Sequence, residues 1–418
     1  MTSLTDPAPH SMRRWAIFVV GSINFVISMF YRVSTAVISP SLVHDLGFTS
    51  SQLSDLSAVF FYAFAFSQLP MGVALDRYGT RRTLLVLSTF GVTGAILFSV
   101  GETPNHLIVA RTLLGIGVSG NLMVLLTLFA AWFPVNRFGF LTGLVVSIGV
   151  LGNLLAATPL ALMNHWIGWR SSFLVFALLN AAVVVIFLLI ARERPPGSAP
   201  KTVRSGEMEN GLYSLFRSYG YWAISLCSFV RYGYFAALQG LWIAPFLIYG
   251  LGLTEIAAGN ALFVMGLGYM IALPLGGSLS DLVLRSRRQV VILSMSLMCL
   301  LTFSIVLWTK PVPMWLVMTT MFGLGFCSAP GNIAYAHMKE LLPPDMVARA
   351  LTAVNLFTVL GAGVITHILG IAVGPEPAKL TCPEDFRALW LIGGFSIALV
   401  VAVYYPVQDS NVLKQKRS

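Results

Sequence analysis

Twelve apolar runs of about twenty residues recur along this chain, each long enough for an α-helix to cross a bilayer core of ~30 Å. They lie near residues 15–42, 54–75, 83–101, 107–133, 139–163, 171–191, 221–249, 257–280, 289–309, 313–337, 347–373 and 388–406. Only 10% of the residues are charged and 57% are hydrophobic, whereas a soluble domain carries about a quarter charged. The pattern predicts an all-α polytopic membrane protein whose main solvent is lipid. The net charge of +10 follows the loops and not one binding face, which argues against nucleic acid as a partner.

An even number of spans puts both termini on one side of the membrane. Nineteen of the 26 Lys and Arg fall on that side, four (Arg170, Lys310, Lys379 and Arg387) on the other, and three (Arg32, Arg111 and Arg231) within spans. Basic loops stay inside, so both termini are expected in the cytoplasm, with the bacterial inner (plasma) membrane as the location. Arg13 and Arg14 precede the first span, but that span is too long and lacks a small-residue cleavage site, so it reads as a retained helix. Of the four cysteines, Cys227, Cys299 and Cys327 fall in spans and Cys382 in a loop. No disulfide framework is visible.

The sequence is also duplicated. Gly72, Asp76, Arg77, Arg81 and Arg82 after the second span are echoed by Gly276, Asp281, Arg285, Arg287 and Arg288 after the eighth, and Arg137 before Leu141-Thr142 is echoed by Arg349 before Leu351-Thr352. Asp76 and Asp281 are 205 positions apart, Arg137 and Arg349 are 212 apart, and Arg32 and Arg231 are 199 apart. The expected domains are an N-terminal six-helix bundle over residues 1–191, a Pro- and Arg-containing cytoplasmic linker over 192–219 and a C-terminal six-helix bundle over 220–418. Twelve transmembrane helices in two pseudo-symmetric bundles, with a site at mid-depth, is the architecture this implies.

A cation inside an apolar span costs at least a few kcal/mol on insertion scales, so Arg32 and Arg231 call for a reason. Asn24, Ser28, Tyr31, Arg32, Thr35 and Ser39 form a polar face of the first span, and Ser225, Ser228, Arg231, Tyr232, Gln239 and Trp242 one of the seventh. Two readings stand open. In the first the guanidiniums grip an anion bidentately, helped by Tyr31, Tyr232, Asn24 and Gln239; in the second they pair with carboxylates or helix-end carbonyls. No Asp or Glu lies deep in a span, which favours the first. Asp55 is read as a helix-start carboxylate, His337 and His367 as hydrogen-bonded packing residues with a proton or substrate role as the alternative, and Gly139 with Gly143 as a close-packing pair. No Walker loop or zinc-ligand spacing appears, so no enzyme activity, metal or cofactor is expected.

The stretch Gly72-Val-Ala-Leu-Asp76-Arg77-Tyr-Gly79-Thr-Arg81-Arg82, joining spans two and three, resembles the loop signature of the major facilitator superfamily. Arg111-Thr-Leu-Leu-Gly115-Ile-Gly117 is similar to a second motif of that superfamily. The resemblance implies that Gly72, Asp76, Arg77, Arg81 and Arg82 latch the halves in one conformation, and that Arg111 is structural, pairing with backbone or with the first helix. Tyr31-Arg32 and Val230-Arg231-Tyr232-Gly233 resemble segments of the organophosphate:phosphate antiporters and, for the first, of the anion:cation symporters. In the antiporters the matching arginines bind phosphate. The chain departs from both branches: Gly149 stands where the antiporters have a histidine, and Val118 where the symporters have a coupling glutamate.

The expected function is therefore secondary active transport of a small organic anion, phosphorylated or carboxylate, with protons or a counter-anion as coupling partner, by a monomer in the lipid bilayer. The alternatives are an efflux pump for a larger amphipathic compound such as a drug or siderophore, and a non-transporting sensor.

Overall fold

The computed structural model describes residues 8–133, 135–192, 217–341, 347–374 and 380–409. The first repeat contains α1 (Ala8–Val33), α2 (Thr35–Leu46), α3 (Ser50–Tyr78), α4 (Thr80–Val100), α5 (Pro104–Val118), α6 (Asn121–Trp132), α7 (Val135–Leu155) and α8 (Thr158–Ile190). The second contains α9 (Tyr219–Ala237), continued by π-wound turns at Leu238–Trp242 and Phe246–Gly250, then α10 (Glu255–Ser278), α11 (Arg287–Ile305), α12 (Met314–Ser328), α13 (Ile333–Leu341), α14 (Val347–Val373) and α15 (Arg387–Tyr404). Among the described residues nine segments have the length and hydropathy of a membrane span. One of them, Leu141–Ile190, is interrupted at Gly168, whose φ of 75° only glycine adopts cheaply, and so holds the fifth and sixth expected spans. The second and tenth expected spans are α3 and the α12–α13 pair.

Several spans that periodicity predicts as continuous are broken, and the breaks recur in both repeats. The fourth span breaks at Ser119-Gly120 and the tenth at a 3₁₀ turn, Ala329–Asn332. The first span bends at Ser34, six residues before a second irregularity at Pro40. There Pro40 withholds the N–H that Ala36 would accept inside a helix, and the Ser39 hydroxyl donates to the Ala36 carbonyl instead, at 2.8 Å.

The helices gather into two compact units, Met1–Ser34 with Tyr62–Val203 and Thr35–Phe61 with Arg204–Ser418. Most of the expected linker, 193–216, lies outside the described residues. In each unit, packing depends on glycines that bring helix backbones together, the usual device where lipid gives no hydrophobic drive to association. A Cβ at Gly117 would collide with Gly91 on α4, and one at Gly325 with the Met265 carbonyl on α10. Gly143 is not such a site, because a Cβ there meets nothing within 4 Å; the close approach expected of it belongs to these other glycines.

Each unit also ties its third or ninth span to its last in the same manner. Arg81 Nη2 donates to the Leu188 carbonyl at 2.8 Å, and Arg288 Nη1 to the Tyr405 carbonyl at 3.2 Å. Both acceptors lie at helix C-termini, where a cation is favoured by the exposed carbonyl dipoles.

Candidate functional site

Helix breaks free carbonyls from their i+4 partners, and in a membrane these must be satisfied by side chains or line a cavity. In the first repeat Ser28 Oγ donates to the Val118 carbonyl at 3.4 Å and Gln68 Nε2 to the Ser119 carbonyl at 3.0 Å. Asn24 lies on the same stripe of α1 as Ser28 and is buried, as is Asn121. The Oδ1 atoms of both have no hydrogen-bond partner in the protein.

In the second repeat the break is met by Arg231. Its Nη1 donates to the Ser328 carbonyl at 2.8 Å and its Nη2 to Asn332 Oδ1 at 2.9 Å, while Asn332 Nδ2 donates to the Tyr269 hydroxyl at 2.8 Å. The guanidinium is fully buried. Both acceptors are neutral, so among the described residues the charge is solvated by dipoles and not by a counter-ion. Gly331 makes this possible, since a Cβ there would occupy the place of Arg231 Cδ. In front of the arginine stand the half-buried side chains of Tyr232, Tyr269, Asn332 and Tyr335, the last bonded to Thr358 Oγ1 at 2.7 Å. Gln239 is buried in the π-wound segment that follows α9.

Arg32, in the last turn of α1, is half-buried with its guanidinium 4.9 Å from the centre of the Phe64 ring, a cation–π contact. Tyr31 is fully buried, its ring packed with Phe30 and Phe173. The Tyr31 carbonyl accepts from Nη1 of the buried Arg111 at 2.6 Å. Arg111 thus holds the fourth span to the first much as Arg231 holds the seventh to the tenth. At Gly149 a Cβ would strike the Phe25 ring, so Phe25 fills the space a histidine would need.

Of the expected latch, Gly72, Arg77 and Arg82 are exposed, Arg77 lies 5.5 Å from the Tyr78 ring, and Arg81 makes the bond to Leu188 given above. The Asp76 side chain lies outside the described residues, though its backbone is in α3. His337 is buried between the Tyr404 hydroxyl, 2.7 Å from Nδ1, and the Gln408 carbonyl, 2.8 Å from Nε2. Asp55 and His367 are joined, Oδ1 to Nδ1, at 2.9 Å.

Periodicity and charge direct attention to the arginines, while Gln68, Asn121, Tyr269, Asn332 and Tyr335 escape it. A signal for two of them is present in the sequence. Gly120-Asn121 and Gly331-Asn332 are helix-breaking pairs in mid-span, 211 positions apart, within the range of the other duplicated features.

Comparison with known proteins agrees with this architecture. A probable sulfoacetate transporter of Cupriavidus necator is 26% identical over 284 residues, covering 64% of this chain and 65% of that protein. A probable galactarate/D-glucarate transporter of Bacillus subtilis is 25% identical over 415 residues, covering 89% of this chain and 88% of that one. Among solved structures, a bacterial homolog of the human lysosomal transporter Spinster superposes with a TM-score of 0.76 at 14% identity, over 96% of this chain and 97% of that one. A D-xylose–proton symporter does so with a TM-score of 0.72 at 14% identity, over 92% and 97%. The profile of the Major Facilitator Superfamily matches residues 20–242 and 224–418, nearly the whole chain, and this integral membrane protein belongs to that superfamily of transporters.

Proposed function

We propose that the protein moves a small organic anion, a carboxylate or sulfonate, by alternating access, with Arg32 and Arg231 as anion-binding residues and Asn24, Tyr31, Tyr232 and Gln239 as further substrate-binding residues. The observation that carries the reading is the Arg231 guanidinium, which has no carboxylate partner among the described residues and lies behind a half-buried screen of phenols and an amide. An incoming anion there supplies the missing counter-charge. The names of the relatives, transporters of sulfoacetate, galactarate/D-glucarate and, in Agrobacterium vitis, tartrate, support carboxylates and sulfonates over phosphates. So does the Phe25 ring against Gly149. The full burial of Arg231 favours a second role for it, holding Asn332 and Tyr269 in place.

Purified protein tested by thermal shift against tartrate, D-glucarate, sulfoacetate and glycerol 3-phosphate checks the class. A ligand present at a hundred times its Kd stabilises by about 2.7 kcal/mol. Stabilisation by a dicarboxylate or sulfonate is expected. Stabilisation by glycerol 3-phosphate alone, or by none of the four, overturns the proposal.

The same reading puts both termini and the 192–219 linker in the cytoplasm of a monomer in the bacterial inner membrane, with Gly72, Asp76, Arg77, Arg81 and Arg82 as the latch on that side. In a variant lacking Cys227, Cys299, Cys327 and Cys382, a Ser205→Cys substitution should react with an impermeant maleimide only after cells are permeabilised. Reaction on intact cells reverses the topology.

A further inference from the structure

The hydrogen bonds around Arg231 have a direction, because a guanidinium has protons to give and no lone pair to accept with. Asn332 must therefore present its carbonyl oxygen to Arg231 Nη2 and its Nδ2 to the Tyr269 hydroxyl, at 2.9 and 2.8 Å. Tyr269 is the acceptor in that second bond and keeps its own proton. Among the described residues no acceptor takes it. The half-buried ring is held in place by stacking on Phe235, with centroids 4.8 Å apart and planes 21° apart.

The phenol of Tyr335 is polarised the other way. Its Oη lies 2.7 Å from Thr358 Oγ1, which in turn lies 2.8 Å from the Val354 carbonyl oxygen. Oxygens this close need a proton between them. The carbonyl has none and the buried threonine has one, which goes to Val354, so the proton in the other contact comes from Tyr335. Tyr335 is left with lone pairs and nothing to donate. Asn332 and Tyr335 are three positions apart on one helical run, neighbours on the same face with about 5–6 Å between Cβ atoms. A donor proton on Tyr269 and an acceptor oxygen on Tyr335 therefore both stand beside Asn332, in front of a buried positive charge.

We propose that Tyr269 and Tyr335 make this a site for 2-hydroxycarboxylates. The Tyr269 O–H donates to a carboxylate oxygen, and the Tyr335 oxygen accepts from the hydroxyl on the neighbouring carbon. The proposal rests on the anion reading above and narrows it. A plain carboxylate leaves the Tyr335 oxygen without a donor, and a 2-oxo acid sets a second lone-pair oxygen against it. A site built to hydrogen-bond a hydroxyl rejects analogues that lack one, because its own polar group is then left unpaired.

Dissociation constants are measured by thermal-shift titration of the purified full-length protein with D- and L-2-hydroxyglutarate, glutarate and 2-oxoglutarate. At about pH 7.5 every carboxyl group in the set is ionised, so the ligands share length and charge and only the hydroxy acids carry a proton for Tyr335. One enantiomer should bind about tenfold tighter than glutarate and 2-oxoglutarate, the effect of one well-made hydrogen bond. Tyr335→Phe should bring the hydroxy acid down to glutarate while leaving glutarate itself within about twofold. Thr358→Val tests the direction of the bond. Tyr335 then recovers a proton to donate, so 2-oxoglutarate should gain about fivefold, an improvement that damage to the fold does not produce. Three results overturn the assignment: equal native affinities for hydroxy acid and glutarate, a preference that survives Tyr335→Phe, and unimproved 2-oxoglutarate binding in Thr358→Val. Binding of none of the four overturns it as well, while stabilisation by sulfoacetate in that case leaves the anion reading standing.

Discussion

Replacing Arg231 with lysine should lower the initial rate of anion uptake into proteoliposomes by at least about tenfold, and alanine should lower it by about a hundredfold. The reason is geometric before it is electrostatic. The guanidinium spans two acceptors on opposite sides of a broken helix, the Ser328 carbonyl and Asn332 Oδ1, and an ammonium on a flexible stem reaches one of them at a time. Hydrogen bonds to a charged group are worth about 1.5–3 kcal/mol each, which sets the two factors. Alanine in addition leaves the Ser328 carbonyl buried without a donor.

The same geometry separates this account from a general loss of folding. Asn332→Ala removes one branch of the fork, so its effect and that of Arg231→Lys should be strongly non-additive in a double-mutant cycle, since both act on one hydrogen-bonded chain ending at Tyr269. Gly331→Ala should reproduce the lysine phenotype without touching a polar group, because its methyl displaces Arg231 Cδ. Wild-type uptake in Arg231→Lys removes the residue from the site. Additive losses in the cycle mean that Asn332 and Arg231 act separately.

How much of this was legible beforehand differs between fold and site. Hydropathy and duplicated charge were enough for an all-α chain of two repeats, because lipid imposes a length on every span and loops keep the record of topology. Arg111 and Arg231 stand out as cations in apolar runs, but their acceptors, the Tyr31 and Ser328 carbonyls and the Asn332 amide oxygen, are neutral and leave no trace in the charge pattern. The breaks at Ser119-Gly120 and Ala329–Asn332 look like tolerable interruptions in an apolar run, since glycine lowers helix stability by only about 1 kcal/mol relative to alanine. The duplicated Gly-Asn pair makes them visible as a feature, and a single polar residue in mid-span would not have done so. Asp55 and His367 are 312 positions apart in sequence, and neither lies in a repeat of the other's surroundings. Their meeting depends on Thr35–Phe61 being taken up by the second unit, which no local pattern announces.

The glycines are the harder case, and they yield the second large effect. Gly143 has the small-residue spacing that favours helix association, whereas Gly325 is one of many glycines in a run of apolar residues. Yet a Cβ at Gly143 meets nothing, and one at Gly325 runs into the Met265 carbonyl oxygen and approaches Tyr269 N at 3.1 Å. The obstacles at Gly325 are backbone atoms, which cannot rotate aside as a side chain would. Gly325→Ala must therefore push α12 away from α10, at an overpacking cost of about 1–3 kcal/mol, and in doing so it moves Tyr269 away from Asn332. Gly143→Ala should be neutral or stabilising by up to about 1 kcal/mol, the ordinary gain of alanine over glycine in a helix. Unfolding followed with a thiol-reactive dye reads both, since Cys227 and Cys327 are buried in the folded protein. The expected outcome is a midpoint several degrees lower for Gly325→Ala, together with reduced uptake, and an unchanged or higher midpoint for Gly143→Ala. Equal midpoints for Gly325→Ala and the native chain would mean that the α10–α12 contact yields without cost. The close backbone approach would then set neither the stability of the second unit nor the placement of Tyr269.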